Sequence, residues 1–247
     1  MERIRAHTAP RTAIVWTVLE RELAQRDGTQ VIIDVGGGTG GFAVPLAEAG
    51  HRVTVVDASP DALATLTRRA ADAGVADRIE AVQGDADQLA DIVPAGSADL
   101  VLCHSVLEVV DSPADVLKAV AACLRPQGAA SVLVANRAAA VLTRALSGHL
   151  TTAARLLEAP HGVVGERDTL LRRFDIDTAV GLLNAAGLSV EQIHGVRVVA
   201  DLVPGALLDT EPGAHEALLA FELAASERSP YRDIASQVHL LARRQEV

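Results

Sequence analysis

The sequence predicts an α/β fold whose doubly wound sheet is mostly parallel. In its N-terminal half, short β-branched and apolar runs alternate with segments of helical periodicity on short connections. The first apolar run, residues 31–33, leads into five glycines between positions 36 and 41. The next two strands are each followed closely by an acidic side chain, Asp57 and Asp85. Ligands of doubly wound folds bind at the carboxyl ends of the strands, which is where these residues fall.

The same patterns place the remaining elements. Strands are predicted at residues 31–33, 53–57, 79–82, 98–102, 129–134, 190–199 and 238–242. Helices are predicted at residues 9–26, 42–47, 60–73, 113–124, 137–158, 175–186 and 215–226. Two Ser-Pro pairs, at positions 59 and 112, are typical helix starts, and glycines at 74 and 187 are typical helix ends. We expect these elements to form one domain over residues 1–247.

Two helical regions flank the predicted ligand edge. Residues 9–26 carry apolar side chains at 3–4 spacing, and Trp16 adds a large apolar group. This helix either covers the ligand or packs against the sheet edge. Residues 136–174 follow the fifth strand, and most of this segment is rich in Ala, Leu and Arg. Because that strand ends at the carboxyl edge, we expect the segment to cover the substrate.

Composition favours a folded globular protein in the cytoplasm. Apolar residues make up 49% of the chain and charged residues 22%, which excludes a disordered chain. No apolar run is long enough to cross a bilayer, and the N-terminal residues do not resemble a signal peptide. The two cysteines, Cys103 and Cys123, fall in a predicted strand and helix, so we expect no disulfide and a reducing compartment. We expect no metal site.

The net charge of −10 argues against a nonspecific nucleic-acid binder, whose surface is usually basic. The charge is uneven, however. Seven arginines stand against three acidic residues between positions 125 and 173. This bias indicates either a local basic face or an ordinary solvated helix surface.

The glycine turn leaves two ligand classes open. Gly36, Gly38 and Gly41 fit the dinucleotide fingerprint, with Asp57 as its acidic partner. Asp34, however, places a carboxylate at the mouth of the turn, which would repel a pyrophosphate and suit a cationic ligand. A ligand that needs a partner for a cation, for a ribose diol and for an adenine amino group is S-adenosylmethionine (SAM). An NAD enzyme is the alternative.

Five ordered motifs extend this interpretation. DVGGGTG, VVDAS, GDADQL, DLVLCHSVLEVV and LRPQGAASVLV together resemble a class I SAM-dependent methyltransferase. The resemblance implies a Rossmann-like sheet with an antiparallel last strand, SAM as cofactor and S-adenosylhomocysteine (SAH) as product.

The resemblance also implies roles for individual residues. Asp57 would accept hydrogen bonds from both ribose hydroxyls, and Asp85 from the adenine amino group, with Asp87 as its rival. His104 would either line the active site or fill the helix start. The cofactor-binding candidates are Asp34, Gly36, Gly38, Asp57, Ala58, Asp85, Ala86, Cys103 and His104.

Four further segments carry a narrower resemblance. RTAIVWTVLE, CHSVLEVVDSP, HGVRVVADL and SPYRDIASQVHLLARR are similar to the tRNA 5-carboxymethoxyuridine methyltransferase group, which esterifies the carboxylate of a wobble uridine. By position, the resemblance implies substrate-binding roles for Arg11, Asn136, Arg197 and Tyr231 and catalytic roles for His104, Arg197 and Tyr231.

The chemistry of that reaction favours arginine. A carboxylate is already ionised at neutral pH, so it needs a guanidinium fork and alignment rather than a general base. Arg197 is the natural choice and Arg11 the second, unless Arg197 pairs with Asp201. The chain departs from the group in having Lys118 as its only lysine and Ala135 in place of an aromatic. The alternatives are therefore a small-molecule O- or N-methyltransferase and a SAM-binding protein without turnover.

Overall fold

A computed structural model describes residues 11–159, 161–163 and 168–245 and shows one seven-stranded sheet. Its strands are β1 (Val31–Val35), β2 (Arg52–Asp57), β3 (Ile79–Gln83), β4 (Ala98–His104), β5 (Leu124–Ala135), β6 (Leu188–Val196) and β7 (Gln237–Arg244). Their order is β3-β2-β1-β4-β5-β7-β6. The first five strands are parallel, and β7 runs antiparallel to both β5 and β6. The predicted fold class is confirmed, including the antiparallel last strand.

Ten α-helices surround the sheet in the described part of the chain. They are α1 (Ala13–Leu23), α2 (Ala43–Glu48), α3 (Pro60–Asp72), α4 (Leu89–Ile92), α5 (Pro113–Cys123), α6 (Arg137–Leu146), α7 (Leu150–Glu158), α8 (Ile176–Ala185), α9 (Gly205–Thr210) and α10 (Ala214–Ala225). None of these helices is long and apolar enough to span a bilayer.

The sheet is buried on both faces, as its continuous apolar strands require. Along β4, Leu100 and Leu102 face one apolar cluster, while Val101 and Cys103 face the other. The first cluster contains the apolar side of α1, where Trp16 is 2% exposed. Of the two interpretations of the N-terminal helix, the structure therefore shows packing against the sheet. Residues 9 and 10 of that prediction lie outside the described residues.

Two predicted elements end earlier than expected. The helix predicted at residues 137–158 is two helices, because Gly148 adopts φ +78° and terminates α6. The strand predicted to reach residue 199 stops at Val196, because Arg197 adopts φ +59°. The short helices α4 and α9 carry too few residues for a periodic signal and were not predicted.

The segment after α7 is fastened to the loop that follows β4. The guanidinium of Arg172 donates to the carbonyls of Leu107 and Asp111, at 3.0 and 3.2 Å, and also to that of Val110. The Leu171 N–H donates to the Glu108 carbonyl at 2.9 Å. Part of the predicted substrate cover is thus held against the carboxyl edge of the sheet.

The turn after β6 depends on one buried carboxylate. Glu222 of α10 is 0% exposed and accepts the backbone N–H groups of Val198, Val199 and Ala200, each at 2.8 Å. Hydrogen bonds to a charged group are stronger than neutral ones, and the Val198 N–H would otherwise be buried without this partner. Glu222 therefore fixes the backbone that carries Arg197.

We predict that Glu222→Gln lowers the free energy of unfolding by about 1.5–3 kcal/mol, as for a lost hydrogen bond to a charged group. The amide has only one acceptor atom for three donors and no charge. Urea unfolding followed by circular dichroism measures the change. Glu216→Gln, on an exposed position of the same helix, is the matched control and should have little effect. Equal stabilities for the two variants would contradict the role given to Glu222.

Candidate active site

A cleft of about 520 Å³ opens at the carboxyl ends of β1 to β4. It is lined by Gly36, Val56, Asp57, Ala58, Gly84, Asp85, Ala86, Asp87, Ser105, Val106, Val109, Val110 and Asp111. The topology places it where β1 and β4, neighbours in the sheet, lead to opposite sides. Five of the predicted cofactor-binding residues are in this lining: Gly36, Asp57, Ala58, Asp85 and Ala86.

The floor of the cleft is a turn that only glycine fits. Gly36 has φ +66°, and a Cβ there would lie 2.6 Å from Cγ2 of Val106. A Cβ at Gly37 would lie 2.5 Å from the carboxyl carbon of Asp34. The Gly36 N–H donates to the Val56 carbonyl at 2.7 Å, which ties the turn to the end of β2. The backbone can therefore approach a ligand closely.

Asp57 is held by the backbone on both sides. Its Oδ2 accepts the Gly38 N–H and its Oδ1 accepts the Ser59 N–H, each at 2.8 Å. A carboxylate oxygen has two lone pairs, so each oxygen retains capacity for a ligand hydroxyl. Ser59 itself caps α3 through its side chain, which accepts the Ala62 N–H. The carboxylate is thus fixed between the glycine turn and α3.

Asp34 is the most perturbed acid of the site. It is 2% exposed, and its Oδ2 has no hydrogen-bond partner in the described part of the chain. Burial raises its pKa from 3.8 to about 7, and the charge of Asp57 adds to the effect. A buried carboxylate without a partner is stabilised by a nearby cation. This orphaned oxygen and the glycine turn above it fit a ligand that carries positive charge.

The charge of the residues that line the cleft also favours a cationic ligand. Asp57, Asp85, Asp87 and Asp111 all line it, and no Lys, Arg or His of the described part of the chain does. Such a cleft attracts a cation and repels a pyrophosphate, which disfavours the dinucleotide alternative. Asp85 and Asp87 lie on the same wall, so both remain candidates for the adenine amino group.

His104 and Cys103 point away from the cleft lining. The Nε2 of His104 lies 2.8 Å from the Ser131 hydroxyl, which in turn lies 2.8 Å from Nε2 of His239. Burial lowers the pKa of His104 to about 3, so its ring is neutral at physiological pH. The Cys103 side chain is 0% exposed in the core, so only its backbone can face a ligand. His104 occupies the end of β4 beside Phe42, 4.7 Å away between ring centroids.

The structure brings together two of the predicted substrate residues. Nη1 of Arg197 lies 3.3 Å and Nη2 of Arg11 lies 3.6 Å from the carboxylate of Asp201. The Ser236 hydroxyl donates to the same carboxylate at 2.8 Å. The pairing of Arg197 with Asp201, which is the structural alternative to a free substrate-binding arginine, is therefore present.

Asn136 and Tyr231 are placed differently. Asn136 is 2% exposed; its Nδ2 donates to the carbonyls of Asp233 and Ala235, and its Oδ1 accepts the Ala138 N–H. Its side chain thus joins β5 to the segment before β7. Tyr231 is 49% exposed, in the turn that precedes β7.

The loop after β4 contributes lining residues that sequence reasoning did not assign. Ser105, Val106, Val109, Val110 and Asp111 form one wall of the cleft, and Ser105 adopts φ +56°. A non-glycine residue in this region is strained and is often found at binding sites. The motif CHSVLEVVDSP and the rule that ligands sit at strand carboxyl ends were sufficient signals for this wall.

Comparison with known proteins agrees with this geometry. Residues 33–132 match the family described as Methyltransferase domain. This match, together with the fold and the acidic cleft, shows a SAM-dependent methyltransferase domain, whose cofactor is SAM.

Three proteins that are similar to this chain are methyltransferases by name. The chain is 28% identical to the tRNA 5-carboxymethoxyuridine methyltransferase of Escherichia coli K12, over 95% of this chain and 88% of that protein. It is 30% identical to the ubiquinone biosynthesis O-methyltransferase of Xanthomonas axonopodis pv. citri, over 67% of this chain and 65% of that protein. A SAM-dependent methyltransferase from Mesorhizobium loti shares the fold, with a TM-score of 0.61 and 20% identity over 96% and 100% of the two chains.

We predict that Asp57→Ala weakens SAH binding by about 1.5–3 kcal/mol, because ribose hydroxyls lose a charged acceptor. Isothermal titration calorimetry measures this loss. Asp61→Ala, on an exposed position of the following helix, is the control and should bind SAH like the unmodified protein. Unchanged SAH affinity in the Asp57 variant would contradict the ribose role.

We predict that SAM affinity falls as pH decreases below about 7, approaching tenfold per pH unit, because the cationic ligand favours ionised Asp34. Without ligand, the quantity to consider is the stability of the folded protein, and it changes with pH in the opposite direction. The folded pKa lies above the ordinary value of 3.8, so the folded state holds an extra proton between those pH values and loses stability as pH rises. Asp34→Asn should flatten both profiles, measured by calorimetry and by urea unfolding from pH 4 to 8. Profiles that coincide with those of the unmodified protein would contradict this assignment.

Proposed function

We propose that this methyltransferase esterifies a carboxylate of a modified tRNA wobble uridine. The similarity to the Escherichia coli enzyme, over 95% of the chain, supports this substrate. The observation that carries the proposal is the pair of arginines around Asp201, because two guanidinium groups and a hydroxyl there already bind a carboxylate. The proposal includes the cytoplasmic location expected from the sequence.

Two arginines, Arg197 and Arg11, recognise the substrate in this proposal. In the proposed complex, the carboxylate of the uridine takes hydrogen bonds from Arg197, with Arg11 as the second donor. Planar guanidinium groups suit this bidentate geometry. Arg197 is 25% exposed on its side chain and its backbone is fixed by Glu222, so the fork is held in place rather than searching for its ligand.

In the proposed reaction, most of the rate enhancement comes from holding the acceptor oxygen close to the methyl group. SAM provides an electrophilic methyl group on a sulfonium, and the acceptor oxygen must lie in line with it. No general base is needed, because the carboxylate is ionised at neutral pH. The neutral ring of His104 adds no charge that would oppose the sulfonium.

A small-molecule acceptor is the second candidate. It is favoured by the 30% identity to the ubiquinone biosynthesis O-methyltransferase and by the aromatic content of 2%, which offers few rings for base stacking. A purified enzyme that leaves tRNA unmodified while methylating a small hydroxyl or amine acceptor would favour this candidate.

We predict that tRNA from a strain lacking the gene contains the free acid in place of the methyl ester, and that the purified protein with SAM restores the ester. Arg197→Ala should lower kcat/KM for this tRNA by about 10- to 100-fold, with Arg197→Lys intermediate, because lysine keeps the charge and loses the fork. Nucleoside analysis by mass spectrometry measures both effects.

The exposed Arg228 provides the control, since Arg228→Ala removes a surface arginine away from Asp201. It should retain the activity of the unmodified protein. A nucleoside profile that does not differ between the two strains would refute the tRNA substrate.

A further inference from the structure

A second cavity, of about 280 Å³, lies further along the carboxyl edge of the sheet than the cofactor cleft. It is lined by Ala135, Asn136, Ala139, Ala140, Thr143, Arg144, Arg173 and Ser236. These residues come from the end of β5, from α6, from the segment between α7 and α8 and from the segment before β7, and none of them lines the cofactor cleft.

The two cavities carry opposite charge. Among the residues that the structure describes, the cofactor cleft is lined by four aspartates and by no basic residue, whereas the second cavity is lined by two arginines and by no acidic residue. A basic cavity stands out in a chain whose net charge is −10. Concave sites lined by one sign of charge attract ligands of the opposite sign. The cleft suits a sulfonium, and the second cavity suits an anion.

Arg144 supplies most of the available charge in the second cavity. Arg173 is already committed, because its Nη1 and Nη2 bind the carboxylate of Asp168 at 2.5 and 3.1 Å and Nη1 also donates to the Gly162 carbonyl. Arg144 is exposed on α6 and has no acidic partner among the residues that the structure describes. The hydroxyl of Thr143 lies on the same helix, next to Arg144 in the lining.

The second cavity is adjacent to the site of methyl transfer. Ser236 in its wall is followed by Gln237, whose Nε2 donates to the Ser105 hydroxyl at 3.0 Å. Ser105 lines the cofactor cleft. The Ser105–Gln237 pair therefore separates the two cavities, and an acceptor that reaches the methyl group over this pair can place a second group beside Arg144.

We propose that the second cavity is an anion subsite of the methyl acceptor, in which Arg144 binds an oxyanion. The oxyanion is a phosphate that flanks the reacting group, because the reacting carboxylate itself is assigned to Arg197 and Arg11. Its identity rests on the proposed function, whereas the existence of an anion subsite does not. The cavity offers the guanidinium of Arg144 and the hydroxyl of Thr143, which are ordinary partners of a phosphate, whereas the Ser236 hydroxyl already donates to Asp201.

The test uses two probes with the SAH-saturated protein in calorimetry. 5-Carboxymethoxyuridine carries the carboxylate without a phosphate, and uridine 5′-monophosphate carries a phosphate without that carboxylate. Arg144→Gln should weaken binding of the probe whose anion occupies the subsite by about tenfold, as for a lost charge-assisted hydrogen bond. Arg155→Gln, an exposed arginine on α7 outside the lining, should change neither affinity by more than about twofold. SAH affinity should be unchanged in both variants.

Each outcome decides the proposal. A selective loss for the nucleotide assigns the subsite to a phosphate, whereas a selective loss for the nucleoside contradicts that assignment, because it places the reacting carboxylate at Arg144 instead of Arg197. If Arg144→Gln binds both probes as Arg155→Gln does, or if the unmodified protein binds neither, the anion subsite is refuted. A protein that fails to esterify tRNA but shows the Arg144 effect refutes the proposed function and retains the subsite.

Discussion

The site depends on the glycine turn between β1 and α2 and on the contacts that its backbone makes. Its backbone lies directly over the Asp34 carboxyl, and its Gly38 N–H binds Asp57. Val106, from the loop after β4, closes against Gly36. A side chain at either of the two central glycines would clash, so the glycines are what allow three strand ends to meet. The cleft exists because the backbone itself, without Cβ atoms, forms its floor.

In this arrangement, the charge of the bound ligand affects the stability of the folded protein, because it changes the cost of burying Asp34. Burying Asp34 without a partner is unfavourable, and its raised pKa expresses that cost. A cationic cofactor offsets the cost, whereas methyl transfer removes the sulfonium charge. From charge alone, we therefore expect the acidic cleft to favour the cationic cofactor over its neutral-sulfur product.

The C-terminal part of the chain forms the proposed acceptor side of the site, and it does so without a glycine turn. The antiparallel strand β7 begins at the carboxyl edge, so Ser236 and Gln237 arrive beside the ends of β4 and β5. Glu222 holds the turn after β6, and that turn presents Arg197 to Asp201. Long-range pairing and a buried carboxylate, rather than a glycine loop, position these side chains.

Much of the cofactor half could be predicted because its signals are local. The glycine turn, the acidic strand ends and the β-branched runs each fall within a few residues, and each confines the backbone by itself. The same reasoning failed at Arg197, where a strand was expected to continue. The backbone there is turned by Glu222 from a helix later in the chain, which no local pattern encodes.

By itself, the sequence determined the sheet, its approximate strand positions and the acidic character of the cofactor cleft, because these follow from periodicity and from residue types next to strand ends. Only the tertiary structure decided which charges stand alone. Arg173 pairs with Asp168, and Arg197 and Arg11 share the single carboxylate of Asp201, whereas Arg144 has no acidic partner among the described residues. Pairing between charges depends on distances across the fold, and those distances are set by packing rather than by position in the chain.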